Sequence, residues 1–408
     1  MKYTYIDLFA GCGGLSDGFE KTTKFSGIAH VEWERIAAKT LSNRLEKRWS
    51  VSDANDRVMV FDIQRTRELI QGWSDPSFGE HPGLKSFFGS TKRVDVLIGG
   101  PPCQAYSLAG RIRDENGMQN DYRNFLFESY INVMNWCQPD IFLFENVVGV
   151  LSANPGGVPI VERVKCAFSA AGYTTLHDFR QAVFSLDRYE VPQKRARVII
   201  IGLRNKTFGG TNKAQNLLEH FYADLKQRYA TTVIRSAREA IGDLPPLYPI
   251  KNPTSNKKRV SHTQHDRPIR NHIPRFHNQR DQEIFRLLAS DLQMGENRYT
   301  STAALKALYT ERTGRTSAVH KYHVLRPDQP SNTIPAHLYK DGLRHIHWDA
   351  DQARSITVRE AARLQGFDDE FEFLGSLSDQ YKMIGNAVPP IFSNKLADAL
   401  ATFLDTRR

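Results

Sequence analysis

Residues 3–11 read "YTYIDLFAG", an apolar run that ends on glycine. A strand with one face in water alternates apolar and polar residues. This one barely alternates, so both of its faces are expected to be covered. Five further stretches repeat the form: "GIAHVE" (27–32), "VMVFDI" (58–63), "VDVLIGG" (94–100), "DIFLFENV" (140–147) and "RVIIIGL" (197–203). Helical spacing lies between them. Phe127, Tyr130, Ile131 and Met134 share a face in "RNFLFESYINVMNW" (123–136), as do Ile160, Val161, Val164 and Phe168 in "VPIVERVKCAFSAA" (158–171). Alternating β and α over residues 1–204 implies an α/β domain built on a doubly wound, mostly parallel sheet.

The chain has 408 residues, too many for one simple core, and the pattern breaks after Gly202. Residues 205–344 are punctuated by Pro, Asn and His and carry 23 Lys and Arg against 12 Asp and Glu. The whole chain has a net charge of +10, so this segment holds all of the excess, together with 8 of the 13 histidines. Such a concentration suggests a module that binds a polyanion, most simply nucleic acid; a solvated basic face is the plainer reading of the same count. One helix is expected inside it, in "RDQEIFRLLASDLQ" (280–293). Order returns with "SITVREAARLQGF" (355–367), a helix around Val358 to Gln365 stopped by Gly366. The chain closes on a helix in "PPIFSNKLADALATFL" (389–404), with proline at its first turn. The expected organisation is therefore a catalytic and cofactor domain (1–204), a smaller basic recognition domain (205–344) and a return segment (345–408) packing back on the first.

Several classes are excluded. No run of about 18 apolar residues could span a membrane. The first residues read as a strand rather than a secretory signal. Four cysteines, at 12, 103, 137 and 166, form no Cys-x-x-Cys pair, which argues against a zinc site and a disulfide scaffold and for a reducing, cytoplasmic setting.

The first strand opens into "DLFAGCGGLSDGF" (7–19). Gly11, Gly13 and Gly14 permit positive φ and close approach of a ligand, although a purely structural turn would use them equally well. Neither G-x-G-x-x-G nor a P-loop occurs, so phosphates are not favoured. The second strand ends at Glu32, suited to accept from a ribose diol, beside Trp33, which offers a flat face to adenine. The third ends at Asp62, able to accept from an exocyclic amine. Taken together, three strand ends suggest an adenosine without phosphates. The fourth runs through "LIGGPPCQAY" (97–106), where Pro101 and Pro102 fix the path on which Cys103 leaves the sheet. An arbitrary cysteine is most often inert and buried; a thiolate nucleophile is the alternative. Glu145, in "FLFENV" (142–147), ends another strand. Gln193, Arg195 and Arg197 alternate through "VPQKRARVIIIGL" (191–203), so both arginines are expected on one side. The stretch "QAYSLAGRIRDENGMQNDY" (104–122) reads as a mobile polar loop.

In chain order, DLFAGCGG, GGPPCQ, ENV, Q-x-R-x-R, RPDQPSNTI, REAARLQGF and GNAVPP resemble the DNA cytosine-5 methyltransferases. The resemblance implies an S-adenosylmethionine-dependent enzyme without a metal. Its target-recognition region would fall between Q-x-R-x-R and RPDQPSNTI, in the basic segment. It makes Cys103 the nucleophile toward carbon 6 of cytosine and Glu145 the partner of ring N3 and the exocyclic amine. Arg197 becomes the contact to O2, with Arg195 supporting the loop or pairing with a phosphate. The same resemblance groups Phe9, Gly11, Gly13, Gly14, Glu32, Trp33, Asp62 and Asn386 around the cofactor. Gln104, Ser107, Arg111, Arg113 and Gln193 would meet a flipped base and its backbone. Double-stranded DNA is the implied partner, bound by a monomer, with a cognate restriction endonuclease acting separately. A tRNA cytosine-5 methyltransferase and an inactive DNA-binding relative are the alternatives. Amino methylation would want an Asp/Asn-Pro-Pro-aromatic motif, and Cys103 stands in its place. Two departures stand out: residues 64–93 are longer than the family usually carries, and Cys12 replaces a larger apolar residue.

Overall fold

The computed structural model describes residues 2–89, 94–102, 126–154, 159–254, 260–263, 269–319, 321–340 and 342–406. The chain divides into two compact units, Met1–Tyr189 with Arg195–Thr232 and Ala387–Arg408, and Glu190–Lys194 with Val233–Asn386.

In the first unit, β1 (Tyr3–Leu8), β2 (Phe25–Glu32) and β3 (Val58–Val60) are followed by a short hairpin of β4 (Trp73–Asp75) and β5 (Gly79–His81). Then come β6 (Val96–Gly99), β7 (Ile141–Val147), β8 (Tyr173–Thr175), β9 (Val183–Ser185) and β11 (Ala196–Arg204). The main sheet runs β3-β2-β1-β6-β7-β11-β8, with β9 also on β11. Pairs among β1, β2, β3, β6 and β7 are parallel, and β11 is antiparallel to its neighbours. All six expected strands are in this sheet. Its interior is largely apolar on both faces, with Tyr5, Ile6, Leu8, Val96, Leu97, Ile98, Phe142 and Leu143 fully buried, alongside the buried polar pair Asp7 and His30 on Ser16. The chain winds outward from β1 to β3, then returns to the other side of β1 with β6. That reversal puts the carboxyl ends of β1 and β6 side by side, which is where open α/β sheets hold ligands.

Two helices lock the glycine loop from behind. The helix Gly14–Lys21 packs on the C-terminal helix Pro390–Asp405 so closely that a Cβ on Gly18 would lie 2.4 Å from Ser393 Cβ. Ser393 Oγ donates to the Leu15 carbonyl at 2.7 Å. A 19-residue helix, Thr211–Tyr229, also belongs to this unit, although the sequence reading places residues 205–344 in one basic module. Its Ala214, Leu218, Phe221, Tyr222 and Leu225 are buried at helical spacing. The free edge of β11 explains its seat. Strand β9 covers residues 196–198 and β8 covers 202–204, and in the gap the Tyr222 hydroxyl accepts from Ile201 N–H (2.9 Å) and donates to the Ile199 carbonyl (2.6 Å).

The second unit holds β10 (Gln193–Lys194) parallel to β14 (Ser331–Asn332), and β12 (Pro249–Thr254) paired with β13 (Val260–His262). The helices Gln279–Gln293 and Thr302–Thr313 meet over Ile284, Phe285, Leu288, Leu305 and Leu308. Its interior is also unusually polar. Arg354 pairs with Glu360 at 2.7 Å with both side chains about fully buried, and His262, His277, His345 and His347 are buried. Thr357 and Glu360 form a capping box that starts the helix Val358–Leu364, and Gly366 adopts φ +88° just beyond its end.

Candidate active site

The turn after β1 is built from left-handed backbone. Phe9, Gly11 and Gly13 have φ of 61°, 57° and 92°. For a bulky residue such as Phe9 this is a strained conformation, tolerated because the parallel pairing of β1 and the Ala10 N–H to Val31 carbonyl bond (3.0 Å) fix both sides of it. A Cβ on Gly13 would lie 2.4 Å from Leu41 Cδ1, and one on Gly14 would lie 2.3 Å from the Val388 carbonyl oxygen. At Gly11 there is nothing within 4 Å of that position. Gly13 and Gly14 are thus glycines for packing, whereas Gly11 borders open space.

Glu32, at the end of β2, faces that space. Its Oε2 accepts from Gly11 N–H and its Oε1 from Glu34 N–H, both at 2.7 Å. Burial pushes its carboxyl above the ordinary value, against the pull of these bonds. Trp33 follows it and is 58% exposed. Asp62, beyond β3, is half-buried and caps its own turn by accepting from Gln64 N–H at 3.0 Å. Asn386 ends the helix Leu377–Asn386 and is exposed; it belongs to the second unit, and the chain next passes through Ala387 and Val388, which pack on Gly14. An open backbone turn, a carboxylate fixed by two backbone N–H groups and an exposed indole fit an adenosyl group, and no basic side chain occurs in the turn to ask for a phosphate.

At the end of β6 the second group assembles. Gly99 lies against β1, where a Cβ would sit 2.5 Å from the Leu8 carbonyl oxygen. Gly100 lies against Glu145, where a Cβ would sit 2.7 Å from Oε2. Beneath them the Tyr130 hydroxyl bridges the Leu97 and Leu143 carbonyls at 3.0 Å each, tying β6 to β7. Glu145 stands on β7 opposite Ile199 of β11, and Arg197 is two residues before Ile199, a diagonal pair on one face. Arg197 Nε accordingly donates to Glu145 Oε1 at 2.7 Å, with each side chain 13% exposed.

The two arginines expected together have different surroundings. Arg195 precedes β11, is 3% exposed and donates to the Ala387 carbonyl at 3.3 Å. Burial and the nearby Arg197 charge depress its pKa, partly offset by Glu145. That setting suits the loop-supporting alternative and not a phosphate contact. Gln193, expected against the flipped base, has protein partners for both ends of its amide. It is fully buried in the second unit, its Nε2 donating to Gln365 Oε1 (2.6 Å) and the Leu364 carbonyl (3.2 Å), its Oε1 accepting from Ile334 N–H (2.9 Å). An amide spent in this way is unavailable to a base. Cys103, Gln104, Ser107, Arg111 and Arg113 lie outside the described residues. Of the other cysteines, Cys12 and Cys137 are buried, burial raising the first thiol strongly and the second to about 12, and Cys166 is exposed on the helix Ile160–Ala170. Among the described residues no cluster of three or more His, Cys, Asp or Glu could hold a metal, and no helix is long and apolar enough to cross a membrane.

The sequence reading passed over Gly100 as a contact of Glu145, and over Phe78, whose ring meets Trp33 at 5.8 Å. The first was legible only as an unexplained second glycine; the second comes from the long 64–93 segment, which no motif marks.

Sheet order, the glycine turn and the Glu32 and Glu145 strand ends define an α/β protein of the S-adenosylmethionine-dependent methyltransferase class. The family model for C-5 cytosine-specific DNA methylases matches residues 3–402, and the chain belongs to that family. A type II methyltransferase of Bacillus paralicheniformis, M.Bpa9945I, is 32% identical over 97% of this chain and 98% of its own length. M.DdeI of Desulfomicrobium norvegicum, another type II methyltransferase, is 28% identical over 98% and 89%. Among solved structures, a chain described as a prophage-encoded DNA modification methyltransferase (E. coli) superposes with a TM-score of 0.59. It covers 99% of this chain and all of its own, at 22% identity. The Dnmt2 methyltransferase of S. pombe gives 0.53 at 13% identity, with both chains fully covered. These two likenesses concern the fold.

Proposed function

We propose that this enzyme methylates carbon 5 of a cytosine rotated out of duplex DNA, through a transient bond between Cys103 and carbon 6. One observation supports it most: Gly100 to Pro102, which lead directly into Cys103, start alongside the Glu145 carboxylate that Arg197 clamps. A thiolate added at carbon 6 needs its charge balanced on the ring. Glu145 delivers a proton to N3 and accepts from the exocyclic amine, and Arg197 stands beside it for O2. When bound, S-adenosylmethionine supplies the methyl group that carbon 5 takes up. A water molecule then takes the carbon 5 proton, the C5–H electron pair re-forms the C5–C6 double bond as the C6–S bond breaks to release the Cys103 thiolate, and N3 returns its proton to Glu145. Glu32 would hold the ribose diol, Trp33 the adenine and Asp62 its amine, with the Gly11 turn leaving room for the amino-acid end.

Extrusion of the base costs a few kcal/mol, and basic residues of the 205–344 segment would offset it through phosphate contacts and read the sequence. The similar proteins are named type II methyltransferases, which supports reading the enzyme as the modification half of a restriction system; a separate nuclease and a cytoplasmic setting belong to that proposal. The test compares the enzyme with Cys103→Ser on duplex DNA and on tRNA, using labelled methyl donor and bisulfite sequencing. DNA methylation at one sequence context, abolished in the variant, is expected. Turnover on tRNA alone, or full turnover by the variant, would overturn the proposal.

A further inference from the structure

The segment 64–93 is left without a role by the chemistry above, yet its described part, 64–89, is tightly built. Phe61 stacks on Trp73 (4.0 Å between centroids, 24° between planes), and Trp73 stacks on His81 (4.9 Å, 23°). Phe78, at the tip of the β4–β5 hairpin, meets Phe61 edge-on at 5.2 Å and Trp33 edge-on at 5.8 Å. The tip is held from three directions. Asp75 Oδ1 accepts from Ser77 N–H (2.7 Å) and Phe78 N–H (3.1 Å), which sets the turn. Arg65 pairs with Asp75 at 2.8 Å and with Glu68, and its guanidinium lies 4.8 Å from the Phe61 ring centre and 5.9 Å from that of Phe78. Arg35, just past Trp33, donates to the Ser77 carbonyl.

A surface hairpin with no task would not need its tip fixed from three directions. Trp33 gains the most from this arrangement. Its indole is largely exposed, on the loop that follows Glu32, and free to rotate about two side-chain bonds unless something blocks it. Phe78 is the ring that does so. We infer that the hairpin is part of the adenosyl site of this chain. Phe78 is a positioning residue that fixes the Trp33 indole for the adenine, and Arg65, through Asp75, fixes Phe78. The inference rests on the reading of Trp33 as the adenine contact. Preorganising that ring lowers the ordering cost of binding, so the hairpin acts on cofactor affinity and not on the methyl-transfer step.

The test is a double-mutant cycle on the full chain, read as the dissociation constant of S-adenosylhomocysteine by calorimetry, without DNA. Phe78→Ala and Phe78→Leu are each combined with Trp33→Ala, and thermal melting confirms that each variant folds. Phe78→Ala is expected to weaken binding about fivefold, a size typical of a lost aromatic pair, and Phe78→Leu, which keeps the bulk, by less. Neither should matter once Trp33 is alanine. With DNA present, KM for the methyl donor should rise and kcat should hold. If Trp33→Ala weakens binding while both Phe78 variants bind normally, or if the two effects simply add, the hairpin has no positioning role. If Trp33→Ala itself binds normally, the placement of adenine on Trp33 fails first, and the inference falls with it.

Discussion

Replacing Gly100 by alanine separates the chemistry of Glu145 from the stability of the fold. The added methyl would sit 2.7 Å from Glu145 Oε2, against an ordinary contact of 3.4 Å or more, so the carboxylate has to retreat by about 0.7 Å. It cannot swing freely, because Arg197 Nε holds the other oxygen at 2.7 Å. The nearest backbone is not the obstacle, and Gly100 does not use positive φ, so an alanine there is conformationally ordinary. Displacing a catalytic group by a good fraction of an ångström costs about 10- to 100-fold in rate. Folding stability should change by less than about 1 kcal/mol. Gly99→Ala is the control: its methyl would meet the Leu8 carbonyl oxygen at 2.5 Å across the β1–β6 pair, so it should lower the melting temperature instead. Single-turnover methylation of a duplex substrate, alongside thermal melting and S-adenosylhomocysteine affinity, reads all three quantities. A Gly100→Ala enzyme with wild-type single-turnover rate would show that the contact with Glu145 does not set the geometry of the reaction.

Glu32→Ala removes the acceptor for two backbone N–H groups and, in the proposed function, for the ribose diol. S-adenosylhomocysteine binding should weaken about tenfold or more by calorimetry; unchanged affinity would remove Glu32 from the cofactor site. Gln193→Leu removes its hydrogen bonds to Gln365, the Leu364 carbonyl and Ile334 N–H, so the unfolding free energy from urea titration should fall by about 1–3 kcal/mol while DNA affinity of the folded protein holds. Weakened DNA binding by a variant that melts like the wild type would restore Gln193 as a nucleic-acid contact. The second unit should be acid-labile. Burial lowers His262 to about 4 and His277, His345 and His347 to about 3, so below pH 6.5 the unfolded chain binds protons that the folded one refuses. Stability is therefore present above pH 6.5 and lost as pH falls toward 4, at about 1.4 kcal/mol per pH unit for each histidine. Glu360, lowered because Arg354 outweighs the burial that raises it, adds in the same direction at lower pH. Melting temperatures that stay flat from pH 7 to 4.5 would contradict this.

Much of the first unit could be read before any coordinates because its strands are buried on both faces, and burial on both faces leaves continuous apolar runs. The two edge strands β8 and β9 are three residues each, too short to leave such a run. The helix Thr211–Tyr229 does carry its period, in Ala214, Leu218, Phe221, Tyr222 and Leu225, but basic and polar residues around it hide the stripe when charge is counted first. Glu32 and Glu145 were legible as carboxylates near strand ends, and Arg197 as a residue entering β11. The burial of Arg195 and Gln193 was not legible, because strand alternation does not run through a point where the ladder is broken: Arg195 falls between β10 and β11. Phe78 could not be read, since a tertiary aromatic contact between a hairpin tip and a loop 45 residues earlier leaves no local pattern.

Covalent capture tests the central claim most directly. A duplex carrying 5-fluorocytosine at the target position offers carbon 5 no removable proton, so methylation begins and release of the cysteine cannot follow. Incubation with S-adenosylmethionine should give a denaturation-resistant complex whose mass is that of protein, DNA strand and one methyl group, with the modified peptide containing Cys103. A complex that dissociates fully on denaturation, or a crosslink mapped to Cys12, Cys137 or Cys166, would contradict the account.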